Sequence, residues 1–476
     1  MQGAGVLGLN PFHALFYDQR ERASPYSPSD RRFLDPIYLD IGQASPATDA
    51  AAVDYPRVWE IKRQALEASF AAFADDAEFA VFLAAGGPAL QGFAAFQAIC
   101  ETRPGEAWRS WPAELQDPEG AGVKAFAAAH AGRVRFHQYL QWLCERQLAG
   151  AAGRSAGLEL GFCRDLAVGA APDGAEAWAE GGRLAQGVSI GAPPDPIGPQ
   201  GQVWGLPPFD PHRLHADGYR SLAELYRINM RHAGALRVDH VMGLARQFWV
   251  PEGADGSEGA YVAYPLDDLL GELALESVRA RCLVIGEDLG TVPDGLRDTL
   301  TKAKVLSYRV LPFERDGSRF KPPADYPALA WACVATHDLP PLAGWWDGVD
   351  IAERVRLKLM TRQVAEQARA DRLADKLALI EALAGAGLVS ADMDAEGPLS
   401  PALEAAIHAY VASTPSLLAA AQVEDLAGER TAVNLPGTDR ERPNWRRRIQ
   451  LPVEEVFEAP AARAILSALR AARPGG

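Results

Sequence analysis

Three short segments of the chain carry acids: Arg237-Val238-Asp239-His240, Glu287-Asp288 within RCLVIGEDLG (281–290), and Thr336-His337-Asp338. Each follows a short apolar run. For any one of these acids alone, a helix N-cap or a surface ion pair is the ordinary reading. Three acids at three strand ends are different, because strand ends that converge on one mouth bring their carboxylates together. Converging carboxylates serve two chemistries. In glycoside cleavage, two acids flank the bond, and a separation of about 5 Å lets one attack the anomeric carbon while the other protonates the leaving oxygen. In metal sites, acids on successive strands ligate magnesium beside a Lys or His base. The residues partly arbitrate between them: Trp204, Trp249, Trp345 and Trp346 lie near the relevant loops or acids as platforms for sugar faces, and Lys is absent from 234–300. No HExxH, Walker loop or post-strand GxGxxG occurs.

The elements that must carry these acids repeat one pattern. GALRVDH (234–240), CLVIGED (282–288), WACVATHD (331–338) and LLAAAQVED (417–425) are short apolar runs closing on an acid, and LELGFCRD (158–165) follows more weakly. Such runs suit parallel strands covered on both faces. The segments 222–234 and 258–281 show helical spacing of Leu, Ile and Tyr, so the expected class is α/β, a (β/α)8 TIM-type barrel, with a doubly wound sheet as the runner-up. Strand alternation puts Arg237 on the same face as Asp239, where it would keep that carboxylate ionised, and puts Asp288 on the face opposite Glu287, as a structural partner.

The chain reads as one catalytic barrel domain over 1–476 with helical insertions at about 54–150 and 350–410. In the first, Phe136, Tyr139, Leu140, Leu143 and Leu148 form an apolar stripe; the second is charged and periodic, as an exposed helical subdomain would be. Loops at 24–40, 190–211 and 434–448 mix Pro and Gly with aromatic residues, and a solvated linker rarely needs aromatics. They are expected to be ordered, the 190–211 loop as a cover over the site.

Together, RVDHVMGL, GEDLGTVP, ATHDLPPLAGWW, NLPGTDRERPNW, IGAPPDPIGPQGQVWGLPP, CRDLAVG and SPYSPSDRRFLDPIY resemble the 4-alpha-glucanotransferases (amylomaltases, disproportionating enzymes) of glycoside hydrolase family 77. The likeness runs from about residue 5 to about residue 455. The wider alpha-amylase clan shares single motifs; the ordered set is specific to the family. The resemblance implies that Asp239 is the nucleophile, Glu287 the general acid/base and Asp338 the transition-state stabiliser. It also implies that Arg237, His337, Asp165, Tyr26, Trp204 and Asn434 contact the glucan. The reaction implied is transfer of alpha-1,4-glucan segments between malto-oligosaccharides through a covalent glycosyl-enzyme, without metal or organic cofactor. The family's leading strand and WGIGD-like segment would lie upstream of residue 1, so a barrel with its first strand missing is expected, GVLGLNPFHALF supplying the second. A plain alpha-glucan hydrolase and a non-catalytic glucan-binding descendant are the alternatives.

The totals fit that picture. With 48% hydrophobic and 23% charged residues the composition is that of a globular protein, and a net charge of −15 repels nucleic acid and anionic membranes while leaving a neutral sugar unaffected. The run Arg446, Arg447, Arg448 is too short to signal a nucleic-acid partner. Five cysteines without a CxxC pair read as core residues in a reducing compartment. With no signal-peptide pattern and no uninterrupted apolar stretch of about 18 residues, the expected location is the cytoplasm.

Overall fold

In a computed structural model of the chain, the described residues are 5–42, 51–74, 76–155, 157–194 and 200–474. They divide into two compact units, one running to Leu296 and the other starting at Arg297 and taking in a short segment around residues 51–53. In the first unit, strands β1 (Val6–Gly8), β2 (Gly161–Leu166), β3 (Ala235–Val238) and β4 (Leu283–Gly286) lie side by side, all parallel. Helix Arg220–Met230 precedes β3 and helix Leu266–Ala280 precedes β4. In the second unit, β5 (Leu306–Val310), β6 (Ala330–Cys333) and β7 (Leu418–Ala420) are likewise parallel. The expected strands at 161–166, 235–238, 283–286, 330–333 and 418–420 therefore form, and the class is α/β. Burial explains why these runs carry so little charge: Ala235, Leu236, Ile285, Ala330 and Ala332 are all inaccessible to solvent.

The stretch 54–150 is helical, with long helices at Tyr55–Ala71, Ala77–Thr102 and Ala131–Arg154. Phe136, Tyr139 and Leu140 are buried, as the stripe predicts, while the core around them also takes Trp59, Phe93, Trp111 and Trp178. The reading of apolar stretches needs correction here. Residues 79–100 carry no charge, and helix Ala77–Thr102 is long and apolar enough to cross a membrane by length and composition. Its second half packs Phe93, Phe96 and Ile99 into the core, and the helix is kinked where Gly87, with φ of 50°, precedes Pro88. In the 350–410 region, helix Arg362–Gly385 is largely exposed, but helix Pro401–Ala412 is mostly buried, so this segment is only partly a surface subdomain.

Two further expectations give way to one unexpected element. The 190–211 stretch is not a loop throughout, and 258–265 is not helix. Gln202–Leu206, Val188–Ala192, Arg246–Pro251 and Ala260–Ala263 pair in that order as a small antiparallel sheet. Residues 195–199 of the stretch lie outside the described residues. Helix in the 258–281 segment begins only at Leu266, after Pro265, a residue suited to a helix start and unsuited to its interior.

Candidate active site

The register of the parallel strands sets the first cluster. Asp165 on β2 sits beside Arg237 on β3, and Leu166, Val238 and Gly286 form the last paired row. The ladder continues one residue further: Asp239 N–H donates to Leu166 O at 3.1 Å and Glu287 N–H to Val238 O at 3.0 Å, which holds the two acids level at the ends of neighbouring strands. Glycine is required at 286, because a Cβ there would lie 2.9 Å from Val241 Cγ1. Val241 is stiff and buried, and its own N–H donates to Glu287 O, so it cannot retreat cheaply.

Arg237 links the acids of this cluster. Its Nη1 donates to Asp165 Oδ1 at 2.8 Å, its Nη2 lies 3.0 Å from Asp239 Oδ1, and Tyr26 Oη donates to Asp165 Oδ2 at 2.5 Å. A buried guanidinium shared by two carboxylates fixes the position of both through charge-assisted contacts. Burial, followed by the nearby Asp165 carboxylate, pushes the Tyr26 phenol far above its ordinary range, so it remains a hydrogen-bond donor.

Glu287 is 8% exposed. Both its oxygens accept backbone N–H groups, Oε2 from His240 at 3.0 Å and Oε1 from Leu289 at 2.7 Å. Those bonds and Arg237 favour the carboxylate, yet burial first and the Asp239 charge second outweigh them, and the group is raised to about 7. His240 makes its contact from a left-handed backbone, φ 49° and ψ 56°, which turns its N–H onto Glu287. Its ring meets Trp204 edge to face at 5.2 Å, and burial lowers it to about 4, so it is neutral at ordinary pH. Asp288, read from strand alternation as a structural residue, is completely buried.

The second cluster lies in the other unit, after β6. Asp338 has a side chain 44% exposed; Asn434 Nδ2 donates to its Oδ1 at 2.6 Å, and His337 Nε2 lies 3.3 Å from its Oδ2. The Asp338 N–H donates to Thr336 Oγ1 at 3.2 Å. The His337 ring also meets Trp445, 5.4 Å between centroids. Tyr26, Asp165, Trp204, Arg237, Asp239 and Glu287 are thus gathered in one unit, and His337, Asp338 and Asn434 in the other.

Of the tryptophans read as sugar platforms, Trp346 is 1% exposed and belongs to the core, a correction that follows from its place on the inner face of helix Leu342–Asp347. Trp345, its neighbour, is covered by Arg372 at 4.7 Å from the ring centroid. Sequence reasoning missed His240, Trp445 and Glu424. Burial and then Asp425 raise the Glu424 carboxyl, while Arg447 and His337 oppose that rise. The run LLAAAQVED pointed to an acid there without distinguishing which of its two acids matters. Among the described residues, no group of three His, Cys, Asp or Glu side chains is arranged to hold a metal ion.

A family model described as 4-alpha-glucanotransferase, glycoside hydrolase family 77, matches residues 1–453. The 4-alpha-glucanotransferase of Mycobacterium tuberculosis is 37% identical over 513 residues, covering 99% of this chain and 70% of its own. That of Haemophilus influenzae is 35% identical, covering 97% of this chain and 72% of its own. Among solved structures, amylomaltase from Corynebacterium glutamicum matches with a TM-score of 0.87 and 32% identity, over 98% of this chain and 70% of its own. Amylomaltase from Streptococcus agalactiae in complex with acarbose matches with a TM-score of 0.79 at 16% identity, over 99% of this chain and 92% of its own, a likeness of fold. The fold is α/β of the TIM-barrel type.

Proposed function

Because the chain belongs to the 4-alpha-glucanotransferases of glycoside hydrolase family 77, we propose that it moves alpha-1,4-glucan segments from one maltodextrin to the 4-hydroxyl of another, with Asp239 as nucleophile. In the first step Glu287 gives its proton to the scissile glycosidic oxygen as the Asp239 carboxylate attacks the anomeric carbon; the C–O bond breaks, and the shortened glucan leaves with a free 4-hydroxyl. In the second, the Glu287 carboxylate takes the proton from the acceptor's 4-hydroxyl, whose oxygen displaces Asp239. Two inversions restore the alpha configuration. Asp338 is read as the carboxylate that grips ring hydroxyls as positive charge builds on the sugar. Arg237, Asp165, Tyr26, Trp204, His337 and Asn434 are read as glucan contacts. The scheme runs on protons and carboxylates alone.

One observation carries the reading. Glu287 is lifted to about 7 while its neighbour Asp239 is ion-paired with Arg237, so one acid holds a proton to give and the other holds a charge to attack. The five cysteines, all buried and none in a disulfide, suit the reducing cytoplasm proposed as its location.

The test is the product distribution from maltotriose. Wild-type protein should release glucose and build longer oligosaccharides with a constant number of reducing ends. Asp239→Ala should lower that activity roughly 10⁴-fold or more. An undiminished mutant would remove Asp239 from the role of nucleophile, and a steady rise in reducing ends from the wild type would make the protein a hydrolase.

A further inference from the structure

The run LLAAAQVED ends on an acid that the reaction scheme leaves unused. Asp425 lies in the short helix Val423–Leu426 that follows β7, and it is 1% exposed. Its Oδ1 accepts the backbone N–H of Leu342 at 2.7 Å, across a sequence separation of 83 residues. Leu342 opens helix Leu342–Asp347, which begins four residues after Asp338. That helix has no local cap: Pro340 and Pro341 supply neither an N–H nor a side-chain acceptor, and the residue at the cap position makes no side-chain hydrogen bond. A carboxylate from a distant segment fills the vacancy.

Behind Asp425 stand two more buried groups, one turn apart on helix Pro401–Ala412. His408 Nε2 lies 3.4 Å from Asp425 Oδ2, and Glu404 is close enough that Asp425 is the second cause, after burial, of its rise to about 7. Among the described residues, Asp425 Oδ2, Glu404 Oε1 and both His408 ring nitrogens have no hydrogen-bond partner. The arrangement is not a metal site, as no three such side chains converge suitably. Three buried titratable side chains that return one backbone hydrogen bond make a poor stability device; a placement device accounts for them better.

The same segment touches the Asp338 loop at two further points. A Cβ on Gly344 would lie 1.8 Å from Arg430 O, so the helix and the 430 backbone meet without room for a side chain. Asn434 donates to Asp338 itself. Asp425, Arg430 and Asn434 thus fasten Leu342, Gly344 and Asp338 in turn.

We propose that Asp425 is a positioning residue for the reaction: by capping the Leu342 N–H it fixes the start of the helix that follows Asp338, and so the place at which the Asp338 carboxylate stands in the loop after β6. The proposal rests on Asp338 being the transition-state stabiliser. A displaced stabiliser is felt in the transition state more than in the bound substrate, so kcat should fall while KM holds.

Asp425→Ala should lower kcat for maltotriose disproportionation about 10- to 100-fold, with KM within about twofold. Asp425→Asn keeps an acceptor oxygen toward Leu342 and should recover most of that loss; a variant as slow as Asp425→Ala would overturn the capping argument. A second pair tests the donor. Leu342→Pro deletes the N–H at the first helical position, where proline fits, after a residue already at φ −53° and ψ 153° as proline demands. Leu342→Ala sheds side chain but keeps the N–H. Leu342→Pro should reproduce the kcat loss, Leu342→Ala should show much less of it, and adding Asp425→Ala to Leu342→Pro should cost little more. Equal kcat in the two Leu342 variants would overturn the proposal, whether or not Asp425→Ala folds, and so would an Asp425→Ala protein that loses only thermal stability. Asp338→Asn separates the underlying reading: full activity there would remove Asp338 from its role, whatever the Asp425 variants show.

Discussion

At the scale of the residue, the chemistry turns on which carboxyl keeps its proton. Glu287 receives two backbone N–H groups and sits near Arg237, all of which favour ionisation, yet it is raised to about 7 because burial and the Asp239 charge dominate. The proposed first step needs Glu287 protonated in the free enzyme. As pH rises through about 7 that form is lost, so kcat/KM should fall on the alkaline side, approaching tenfold per pH unit, with a midpoint that belongs to the coupled pair. A pH–rate profile on maltotriose checks this; a flat profile from 6 to 9 would contradict the assignment of the acid. The placing of Asp239, Glu287 and Asp338 after parallel strands was legible in the sequence, because an apolar run followed by an acid is a local pattern. The protonation of Glu287 was not, since desolvation and a neighbour 48 positions away act only through the fold.

At the scale of the element, the parallel strands were legible and the antiparallel sheet was not. Runs such as CLVIG and WACV advertise burial on both faces, whereas QVWGL and AYVA are short, flanked by Gly or Pro, and joined in one sheet only through Val188–Ala192 and Arg246–Pro251, which are far apart in the chain. The segment AYVAYPLDDLL also continues smoothly into helical spacing, which hid the strand at its start. Gly286 shows how an element governs a residue. Replacing it with Ala places a Cβ against Val241, and the last paired row of β3 and β4 must give way. Gly286→Ala should cost roughly 1–3 kcal/mol of stability, and should lower kcat by shifting Glu287. Adding Val241→Ala should restore part of both, as read by thermal melts and initial rates; an unchanged Gly286→Ala enzyme would show that the close contact does not fix Glu287.

At the scale of the whole molecule, a net charge of −15 surrounds a chemistry with an uncharged substrate. A field of that sign has nothing to steer in a maltodextrin, so KM for maltotriose should change less than about twofold between roughly 0.02 and 0.3 M salt. A steep salt dependence would point to a charged ligand. The sequence by itself determined the kind of chemistry, through three acids, aromatic loops and ordered motifs, and it determined the parallel strands, through apolar runs whose cause is local. Only the tertiary structure decided that Arg237 is shared between Asp165 and Asp239, that Glu287 holds a proton near neutral pH, that Trp346 is core, and that Asp425 caps a helix 83 residues away. Each of these depends on distance and dielectric between groups remote in the chain, and residue order alone encodes neither.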